Sequence, residues 1–204
     1  MNEKKTIAVY GGTFSPPHVG HIRSAESFFR TVAPDRFLIV PSAIPPHKAP
    51  VSGADDEDRL TMCRLAFASI PSAEVSDMEI LRQGKSYTVE TLRTLAVPGT
   101  RLILLVGTDM LLTLDTWYSF EELFRLAEIA YVRRESDPGT AALLKEKERC
   151  YVEKYGARIC ALSADVTEIS STELRRRITS GESLEGYLLP EVEAYIKARG
   201  LYRV

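Results

Sequence analysis

The sequence predicts an α/β protein built around a doubly wound, mostly parallel sheet. Short apolar segments with the composition of buried strands alternate with segments of helical periodicity along almost the whole chain. The most apolar segment, residues 101–106, is apolar at every position after the first, which is typical of a parallel strand covered by helices on both faces. In such sheets ligands bind beyond the carboxyl ends of the strands, and the candidate binding segments 11–21, 41–48, 107–109 and 133–134 fall there.

Each element is predicted from its own residues. Six apolar segments indicate strands: residues 5–10, 36–40, 74–80, 101–106, 129–132 and 159–162. Periodic segments indicate helices: residues 19–33, a helix starting after Asp55, and residues 88–97, 119–126, 139–155, 170–178 and 190–199. Ser170 and Glu173 have the spacing of a capping box, and Gly181 and Gly200 end the last two helices. All 204 residues are expected to form one domain, with residues 165–204 as a small C-terminal helical part.

Composition and charge restrict the class of protein. The net charge is −2, from 26 basic and 28 acidic residues, which argues against a general nucleic-acid-binding protein. No apolar run approaches the roughly 18 residues of a membrane-spanning helix, and the N-terminus shows no apolar signal-peptide region. Cys63, Cys150 and Cys160 are far apart and form no CxxC, so we expect reduced, buried thiols in a cytoplasmic protein. We therefore expect no nucleic-acid or membrane partner, and either a monomer or a homo-oligomer.

One glycine- and histidine-containing stretch, residues 11–23, carries the strongest functional signal. It follows the first strand, and its two leading glycines allow the backbone to turn sharply or to approach a ligand closely. Apolar residues at helical spacing begin at Val19, so His18 and His21 lie where a strand passes into a helix. The N–H groups and partial positive charge of a helix N-terminus suit phosphate, and the two imidazoles add donors there. The residues alone thus predict a nucleoside triphosphate site.

Other interpretations of the same histidines stay open. His18, His21 and His47 are the only histidines, and three imidazoles could hold zinc, although the glutamate of an HExxH motif is missing. The stretch is not a Walker loop, since it lacks Gly-Lys-Ser/Thr, and it is not the GxGxxG dinucleotide fingerprint. A zinc hydrolase and a pair of ordinary turn histidines remain as alternatives.

The pattern of this stretch, Gly-Gly-x-Phe-x-Pro-x-His-x-Gly-His, resembles the signature of the nucleotidyltransferase superfamily with the (H/T)xGH motif. Further segments make the chain, from Val9 to about Tyr202, similar to the bacterial nicotinate-nucleotide adenylyltransferase family. These segments are Pro45-Pro46-His47-Lys48, Ser86-Tyr87-Thr88, Gly107-Thr108-Asp109, Thr116-Trp117-Tyr118, Arg133-Arg134, Ile169-Ser170-Ser171-Thr172 with Arg175, and Leu189-Pro190 to Gly200-Leu201-Tyr202. The resemblance implies a Rossmann-like nucleotidyltransferase fold. It also shows one departure, because Ser15 stands where the family often has Asp.

The resemblance implies a reaction of NAD biosynthesis, in which ATP and nicotinate mononucleotide give nicotinate adenine dinucleotide and pyrophosphate with Mg²⁺. The phosphate of the mononucleotide attacks the α-phosphate of ATP in line, without a covalent intermediate. This nucleophile arrives ionised, so the reaction needs positioning and charge stabilisation rather than a strong general base. We expect no metal site made of side chains alone, since Mg²⁺ is held mainly by phosphates and water.

The same resemblance assigns functional residues at the matching positions. The catalytic residues are expected to be His18, His21, Lys48 and Arg175. The residues expected at ATP are Gly11, Gly12, Thr13, Phe14, His18, His21, Gly107, Asp109, Arg133, Ile169, Ser170, Ser171, Thr172 and Arg175. Those expected at nicotinate mononucleotide are Thr13, Ser42, His47, Lys48, Ser86, Tyr87, Thr88, Leu112, Trp117 and Tyr118. The proline-rich loop of residues 41–54, which carries Lys48, is expected to close on the substrates.

The resemblance implies a particular role for four of these residues, and two of them also have a structural alternative. The Trp117 indole can stack on a pyridine ring, although a lone tryptophan more often belongs to a core. A carboxylate only accepts hydrogen bonds whereas a carboxamide also donates them, so backbone N–H groups of Thr88 and Tyr118 would favour nicotinate over nicotinamide. Asp109 is expected to contact the ribose of ATP or to help place the metal, with a helix cap as the alternative.

Two further functions stay open within the superfamily fold. Another adenylyltransferase or cytidylyltransferase, such as the pantetheine-phosphate enzyme, would share residues 11–21 and 169–175 without needing the Trp117–Tyr118 pair. A non-catalytic nucleotide sensor could keep the fold, but it would not need the catalytic residues named above.

Overall fold

The computed structural model describes the chain over residues 4–46, 53–133, 138–163 and 169–203. Within these residues six strands form one sheet: β1 (Lys5–Gly12), β2 (Arg36–Pro41), β3 (Ala73–Val75), β4 (Thr100–Val106), β5 (Ala127–Arg133) and β6 (Ile159–Ser163). The strand order is β3-β2-β1-β4-β5-β6, and each neighbouring pair is parallel. The predicted doubly wound parallel sheet is therefore confirmed.

Helices cover both faces of the sheet. They are α1 (Val19–Val32), α2 (Asp56–Phe67), α3 (Met78–Arg82), α4 (Thr88–Leu95), α5 (Thr108–Thr113), α6 (Phe120–Leu126), α7 (Pro138–Tyr155), α8 (Ser171–Ser180) and α9 (Pro190–Arg199), and a 3₁₀ turn spans Leu114–Thr116. Successive strand residues point to opposite faces, so Ala8 and Tyr10 of β1 join a core with α1, α2, α8 and α9. Ile7 and Val9 join a second core with α4, α5, α6 and α7. Burial on both faces accounts for the continuous apolar character of β4.

The order of the sheet reverses at β1, which lies between β2 and β4. Tyr10 pairs with Ile39 of β2 on one side and with Leu105 of β4 on the other. The chain leaving β1 enters α1 on one face of the sheet, whereas the chain leaving β4 enters α5 on the other. These diverging connections leave a crevice beyond the carboxyl ends of β1 and β4, which is where ligands bind in sheets of this kind.

The predicted cap of α8 is observed with one difference. The Ser170 hydroxyl accepts a hydrogen bond from the backbone N–H of Glu173 at 3.1 Å. The Glu173 carboxylate pairs with Arg176 at 2.7 Å and with Arg177 at 3.0 Å, so only half of the predicted capping box forms. Gly181 ends α8 in the left-handed conformation, with φ 70°.

Two stretches differ from the prediction. The segment 74–80 is a strand only as far as Val75, where its pairing with β2 ends, and the chain continues into α3. In α3 Glu79 is buried, and its carboxylate accepts a hydrogen bond from the Thr91 hydroxyl at 2.6 Å. The sequence predicts no element over residues 108–116, which form α5 and the 3₁₀ turn, because both are too short to show a clear period.

The prediction of buried thiols is right for Cys63 and wrong for Cys150 and Cys160, which are exposed. Cys160 lies on β6, an edge strand, and Cys150 lies on α7, from which Leu144 and Tyr151 enter the second core. Over the described residues, no helix is both long and apolar enough to cross a membrane.

Candidate active site

A cleft of about 370 Å³ opens at the carboxyl ends of β1 and β4. It is lined by the loop after β1 and by the N-terminal ends of α1, α4, α5 and α8. Most of the predicted binding residues line it: Gly11, Gly12, Thr13, Phe14, His18, His21, Ser42, Ser86, Tyr87, Thr88, Gly107, Asp109, Trp117, Tyr118, Ile169, Ser170, Ser171, Thr172 and Arg175. Segments that are far apart in the sequence thus meet at the sheet edge where the strand order places them.

The two histidines of the motif stack on each other at the start of α1. Their ring centroids lie 3.7 Å apart, with 30° between the ring planes. His18 caps α1 in an extended backbone conformation, and its backbone N–H donates to Nδ1 of His21 at 3.2 Å. Because Nδ1 accepts this bond, the neutral His21 ring carries its proton on Nε2. Phe14 packs edge-on against His21, with ring centroids 5.1 Å apart, and fixes the position of that ring.

The loop between β1 and α1 is supported from α2. The Arg59 guanidinium is 5% exposed and donates to the carbonyl of Thr13 at 3.0 Å. Its other nitrogen pairs with Asp56 at 2.5 Å, so the charge of this buried arginine is compensated. At the end of the loop, the backbone N–H of Val19 donates to the carbonyl of Tyr187 at 2.9 Å. Both ends of the loop are therefore held by parts of the chain that are distant in sequence.

The start of α8 also supports this loop. The Ser171 hydroxyl donates to the carbonyl of Pro16 at 2.9 Å. Arg175 donates to the carbonyl of Ser15 at 2.7 Å and to the hydroxyl of Thr172 at 3.1 Å. The N-terminal ends of α1 and α8 thus adjoin one cleft, and the N–H groups and partial positive charge of both suit a polyphosphate.

Gly11 and Gly12 serve different purposes in the turn. A Cβ at Gly12 would lie 2.9 Å from the ring of Phe14, which is buried and has a left-handed φ of 48°. A Cβ at Gly11 would meet nothing within 4 Å, since this position borders open space. Gly12 is therefore needed for packing, whereas Gly11 leaves room for a ligand to approach the backbone.

Gly107 and Asp109 form a compact turn at the end of β4. A Cβ at Gly107 would lie 2.7 Å from Oδ1 of Asp109, so the carboxylate folds back over the glycine. Gly107 is the cap residue of α5, and Asp109 lies exposed in the first turn of that helix rather than at its cap. Between them the Thr108 hydroxyl donates to the carbonyl of Val132 at 2.7 Å and ties the turn to β5.

Aromatic residues form another part of the cleft lining. The rings of Tyr87 and Tyr118 lie 4.6 Å apart, and Tyr118 is 54% exposed. Trp117 packs partly against the second core while it also lines the cleft. Thr88 is the first residue of α4, a position whose backbone N–H has no partner within a helix. We call Tyr87, Thr88, Trp117 and Tyr118 the ring end of the cleft.

Two polar side chains in the cleft wall stand out by their burial. Glu79 lines the cleft at 6% exposure, and the sequence did not predict it because its segment resembled a strand. Burial raises the pKa of Glu79 above its ordinary value, although hydrogen bonds from Thr91 and Ser86 act in the opposite direction. The buried hydroxyl of Ser42, a predicted site residue, has no hydrogen-bond partner among the residues that the structure describes. Such a hydroxyl in a cleft wall suits a ligand.

Comparison with known proteins agrees with this geometry. The family model of cytidylyltransferase-like proteins matches residues 9–177. A protein of Synechococcus sp. (strain JA-3-3Ab) named "Probable nicotinate-nucleotide adenylyltransferase" is 39% identical, with 98% of this chain and 96% of the relative covered. A protein of the same name from Desulfatibacillum aliphaticivorans is 36% identical, with 96% of this chain and 99% of the relative covered. The chain belongs to the nicotinate-nucleotide adenylyltransferase family.

A solved structure shows that the fold of this chain is shared. The Plasmodium falciparum nicotinic acid mononucleotide adenylyltransferase complexed with NaAD superposes with a TM-score of 0.75, over 97% of both chains. Its sequence is only 16% identical, so the likeness concerns the fold. The predicted Rossmann-like nucleotidyltransferase fold is therefore confirmed.

The position at which this chain departs from the adenylyltransferase family has a clear environment. Ser15, where the family often has Asp, is 1% exposed, and its hydroxyl shares a hydrogen bond of 3.0 Å with the hydroxyl of Tyr202. The Ser15 carbonyl accepts from Arg175. A neutral partner thus holds the loop at this position in place of the carboxylate.

Some predicted site residues are placed elsewhere or not described. His47, Lys48 and the rest of residues 47–52 of the loop expected to close lie outside the described residues, and Arg133 is described through its backbone only. Leu112 packs partly against the second core and is absent from the cleft lining over the described chain, because α5 turns this residue toward α4 to α7.

Proposed function

We propose that this chain transfers the adenylyl group of ATP to nicotinate mononucleotide, giving nicotinate adenine dinucleotide and pyrophosphate in NAD biosynthesis. The observation that carries the proposal is the composition of the cleft. Stacked His18 and His21 and the N-terminal end of α8 line one part of it, and the ring end lines another. One cleft thus offers phosphate-binding groups and a surface for an aromatic base. The relatives described above carry the same activity in their names.

The reaction joins two phosphates that are already ionised. An oxygen of the mononucleotide phosphate attacks the α-phosphorus of ATP, a new P–O bond forms, and the bond to the leaving pyrophosphate breaks. No proton has to be removed from the nucleophile, so the contribution of the protein is to align the groups and to stabilise developing negative charge. The imidazoles of His18 and His21 are proposed to donate to phosphate oxygens during this step.

The start of α8 is proposed to bind the β- and γ-phosphates. Ser170, Ser171 and Thr172 place backbone N–H groups at the helix N-terminus, and Arg175 adds a guanidinium. The hydrogen bonds from Arg175 to the Ser15 carbonyl and to Thr172 fix that guanidinium beside the motif loop before any substrate arrives. A donor that is already in place costs no reorganisation when charge develops.

The remaining assignments complete the two substrate sites as proposals. For ATP we propose the backbone at Gly11, Thr13 and Gly107, with Asp109 at the ribose or at the metal ion that accompanies ATP. His47 and Lys48 are proposed to contact the mononucleotide phosphate. Further proposed contacts follow the family resemblance: Gly12, Phe14, Arg133 and Ile169 at ATP, and Thr13, Ser42, Ser86 and Tyr87 at the mononucleotide. Leu112 is not proposed as a contact, because it packs against the second core.

The ring end is proposed to select nicotinate over nicotinamide. Backbone N–H groups at Thr88 and Tyr118 would donate to both oxygens of a carboxylate, while the Trp117 indole stacks on the pyridine ring. A carboxamide would point its own N–H₂ group at one of these backbone N–H groups. Those two donors would then face each other, and neither would have an acceptor. Discrimination of this polar kind can be large because the wrong ligand leaves buried groups without partners.

Mg²⁺ is proposed to enter with ATP. Among the described residues no group of three or more His, Cys, Asp or Glu side chains could hold a metal ion. The Asp109 carboxylate, exposed in the cleft at the start of α5, fits a cation that is held by one carboxylate together with phosphates and water. When bound, Mg²⁺ would neutralise part of the triphosphate charge.

A cytoplasmic location and a monomeric or homo-oligomeric state stay predictions.

The proposal is tested by measuring pyrophosphate release from ATP and Mg²⁺ with three acceptors offered separately. These are nicotinate mononucleotide, nicotinamide mononucleotide and phosphopantetheine. We expect release with the nicotinate form and little with the others. Release with phosphopantetheine alone would assign the chain to the related adenylyltransferase, and binding of ATP without release with any acceptor would support a nucleotide sensor.

A further inference from the structure

Tyr151 is a fully buried residue of α7 whose hydroxyl group contacts the turn that leads to Trp117. The hydroxyl lies 3.1 Å from the carbonyl oxygen of Leu111 and 3.0 Å from Oδ1 of Asp115, so two acceptors share its one proton. It also accepts a hydrogen bond from the backbone N–H of Asp115 at 3.3 Å. Burial raises the pKa of Tyr151, so the hydroxyl keeps its proton at neutral pH.

The two backbone groups that this hydroxyl contacts are four residues apart. In a continuous α-helix the N–H of Asp115 would donate directly to the carbonyl of Leu111. Here the Tyr151 hydroxyl bridges these two groups, and the Leu111 carbonyl also accepts from the N–H of Leu114. A side chain that inserts between the hydrogen-bonding groups of a helix bends or ends it. In agreement, α5 ends at Thr113, and the chain continues as the 3₁₀ turn of Leu114–Thr116.

Lys147, one helical turn before Tyr151 on α7, also holds this turn. Its ammonium group pairs with Oδ2 of Asp115 at 2.6 Å. Each carboxylate oxygen of Asp115 is therefore bound by a residue of α7, and the backbone N–H of Asp115 is bound by Tyr151 as well. Both the backbone and the side chain of Asp115 thus depend on α7.

The 3₁₀ turn sets the position of Trp117. The backbone N–H of Trp117 donates to the carbonyl of Leu114 at 3.0 Å, and Trp117 itself is extended, with φ −78° and ψ 149°. Its side chain packs partly against the second core and lines the cleft. Successive residues are rotated by about 120° in a 3₁₀ helix and by about 100° in an α-helix, so a change in the type of turn would redirect the indole.

We propose that Tyr151 is a positioning residue for the nicotinate ring, because its hydroxyl sets the form of the turn that presents Trp117 to the cleft. This inference rests on the proposed function. The motif loop is held separately by contacts from α2 and α8, and the start of α5 is held by the bond from Thr108 to β5. Loss of the Tyr151 hydroxyl should therefore weaken binding of the mononucleotide and leave ATP binding unchanged.

The proposed role belongs to the hydroxyl of Tyr151 and not to its ring. Tyr151→Phe keeps the ring, whose centroid lies 5.0 Å from that of Phe124, and removes only the hydroxyl. The N–H of Asp115 then loses its acceptor, and a direct bond to the Leu111 carbonyl would replace it and extend α5. A displacement of about 1 Å at a binding surface can reduce catalytic efficiency by about 10²-fold.

Steady-state kinetics of two matched variants test the inference. Tyr151→Phe is expected to raise KM for nicotinate mononucleotide about 10- to 100-fold, with KM for ATP and kcat within about threefold of the wild type. Tyr155→Phe removes a hydroxyl from the same helix one turn further on, where the ring packs against Phe120 and Phe124. This control should leave kcat and both KM values unchanged.

Two further variants separate positioning from a general loss of stability. Asp115→Ala removes a partly exposed carboxylate instead of a core hydroxyl, and it should raise only the KM for the mononucleotide, by about 10-fold. In a Trp117→Leu background, Tyr151→Phe should change that KM by less than about twofold, because both changes act through one side chain.

The fluorescence of Trp117, the only tryptophan, reports the position of the indole directly. In the protein without substrates, quenching by acrylamide should change in Tyr151→Phe and stay as in the wild type in Tyr155→Phe. Unchanged quenching in Tyr151→Phe would overturn the inference and leave the proposed function intact. The same holds for an active wild type with a Tyr151→Phe variant whose KM values are unchanged, or whose KM for ATP rises equally.

Asp115→Ala decides the question by the same outcomes if Tyr151→Phe does not fold. A wild type that neither binds nor uses the mononucleotide would overturn both the inference and the proposed function.

Discussion

The hydroxyl groups of Ser15 and Tyr202 lie 3.0 Å apart in the interior, although the residues are 187 positions apart. The backbone N–H of Tyr202 also donates to the carbonyl of Gly53 at 3.0 Å, just before α2. Burial raises the pKa of Tyr202 to about 12, so its hydroxyl keeps its proton at neutral pH. The C-terminal end of the described chain thus supports the motif loop through a neutral hydrogen bond.

Replacement of Tyr202 tests this support. Tyr202→Phe removes the hydroxyl, keeps the ring, and leaves the buried Ser15 hydroxyl without this partner. We expect the free energy of unfolding to fall by about 1–3 kcal/mol, and kcat to fall as the loop carrying His18 loses a contact. Urea unfolding together with steady-state kinetics measures both. Unchanged stability and kcat would show that Ser15 does not depend on Tyr202.

Arg175 and Arg176 are neighbours with different surroundings, which makes a matched pair of variants. Arg175 contacts the Ser15 carbonyl and lines the cleft, whereas Arg176 pairs with Glu173 and Glu182 on the exposed side of α8. Arg175→Ala is expected to reduce kcat by about 10²–10³ because a fixed cation is lost from the pyrophosphate side. Arg176→Ala should leave kcat within about twofold, since exposed ion pairs contribute little. Equal effects of the two variants in a pyrophosphate assay would contradict the assignment.

Substitution of the two motif glycines is expected to have different effects: Gly12→Ala should reduce stability, and Gly11→Ala should raise KM for ATP. Gly12→Ala would bring a methyl group against the Phe14 ring, and such overpacking costs about 1–3 kcal/mol of stability. Gly11→Ala places its methyl group in open space, so stability should stay within about 0.5 kcal/mol of the wild type. The same methyl group would project toward the proposed ATP site and raise KM for ATP. Thermal unfolding and ATP titrations separate the effects, and destabilisation by Gly11→Ala would argue against open space there.

The lowered pKa of Asp58 predicts that the folded protein loses stability in acid. Burial acts to raise the pKa of Asp58, but hydrogen bonds from Tyr195, from the Asp55 backbone and from Arg199 outweigh it and hold the pKa below its ordinary value of 3.8. The folded state therefore binds this proton less readily than the unfolded state, so the stabilising contribution is present above about pH 4 and is lost as the pH falls further. The bonds join α2 to α9.

Urea unfolding from pH 3 to pH 7 measures this contribution. Asp58→Asn should lower the free energy of unfolding at pH 7 and should lose less stability than the wild type between pH 5 and pH 3. Comparison of the two curves removes the contribution of other carboxylates, which titrate in both proteins. Parallel curves would show that Asp58 does not contribute to the acid sensitivity.

Much of the candidate site could be predicted from the sequence, because the strand order brings motifs that are distant in sequence to the same edge of the sheet. The segments after β1 and β4 are about ninety residues apart, yet both strands lie side by side and end at the same edge. The motif and the Gly107 turn could therefore be expected in one cleft, whereas the start of α8 was expected there from the family resemblance. The ends of α8 were also predictable, because Ser170 is a typical N-cap residue and Gly181 a typical C-terminal glycine.

The parts that the sequence did not predict depend on tertiary contacts. Glu79 lies in a segment that the sequence predicts as a strand. The hydrogen bond that its buried carboxylate accepts from Thr91 of α4 is a tertiary contact, which the sequence of the segment does not show. Leu112 follows the matched turn closely in sequence, but the helical rotation of α5 directs it to the core. The pairing of Ser15 with Tyr202 has no local signal, because it joins the two ends of the described chain.

The most direct test of the central claim is a competition experiment. Nicotinate and nicotinamide mononucleotides are supplied together at equal concentration with limiting ATP and Mg²⁺, and the dinucleotide products are separated and quantified. We expect the nicotinate dinucleotide to exceed the nicotinamide dinucleotide by at least about 100-fold, as hydrogen bonding to a carboxylate allows. Equal amounts of the two products would contradict the role of Thr88 and Tyr118, and the absence of both would contradict the proposed reaction.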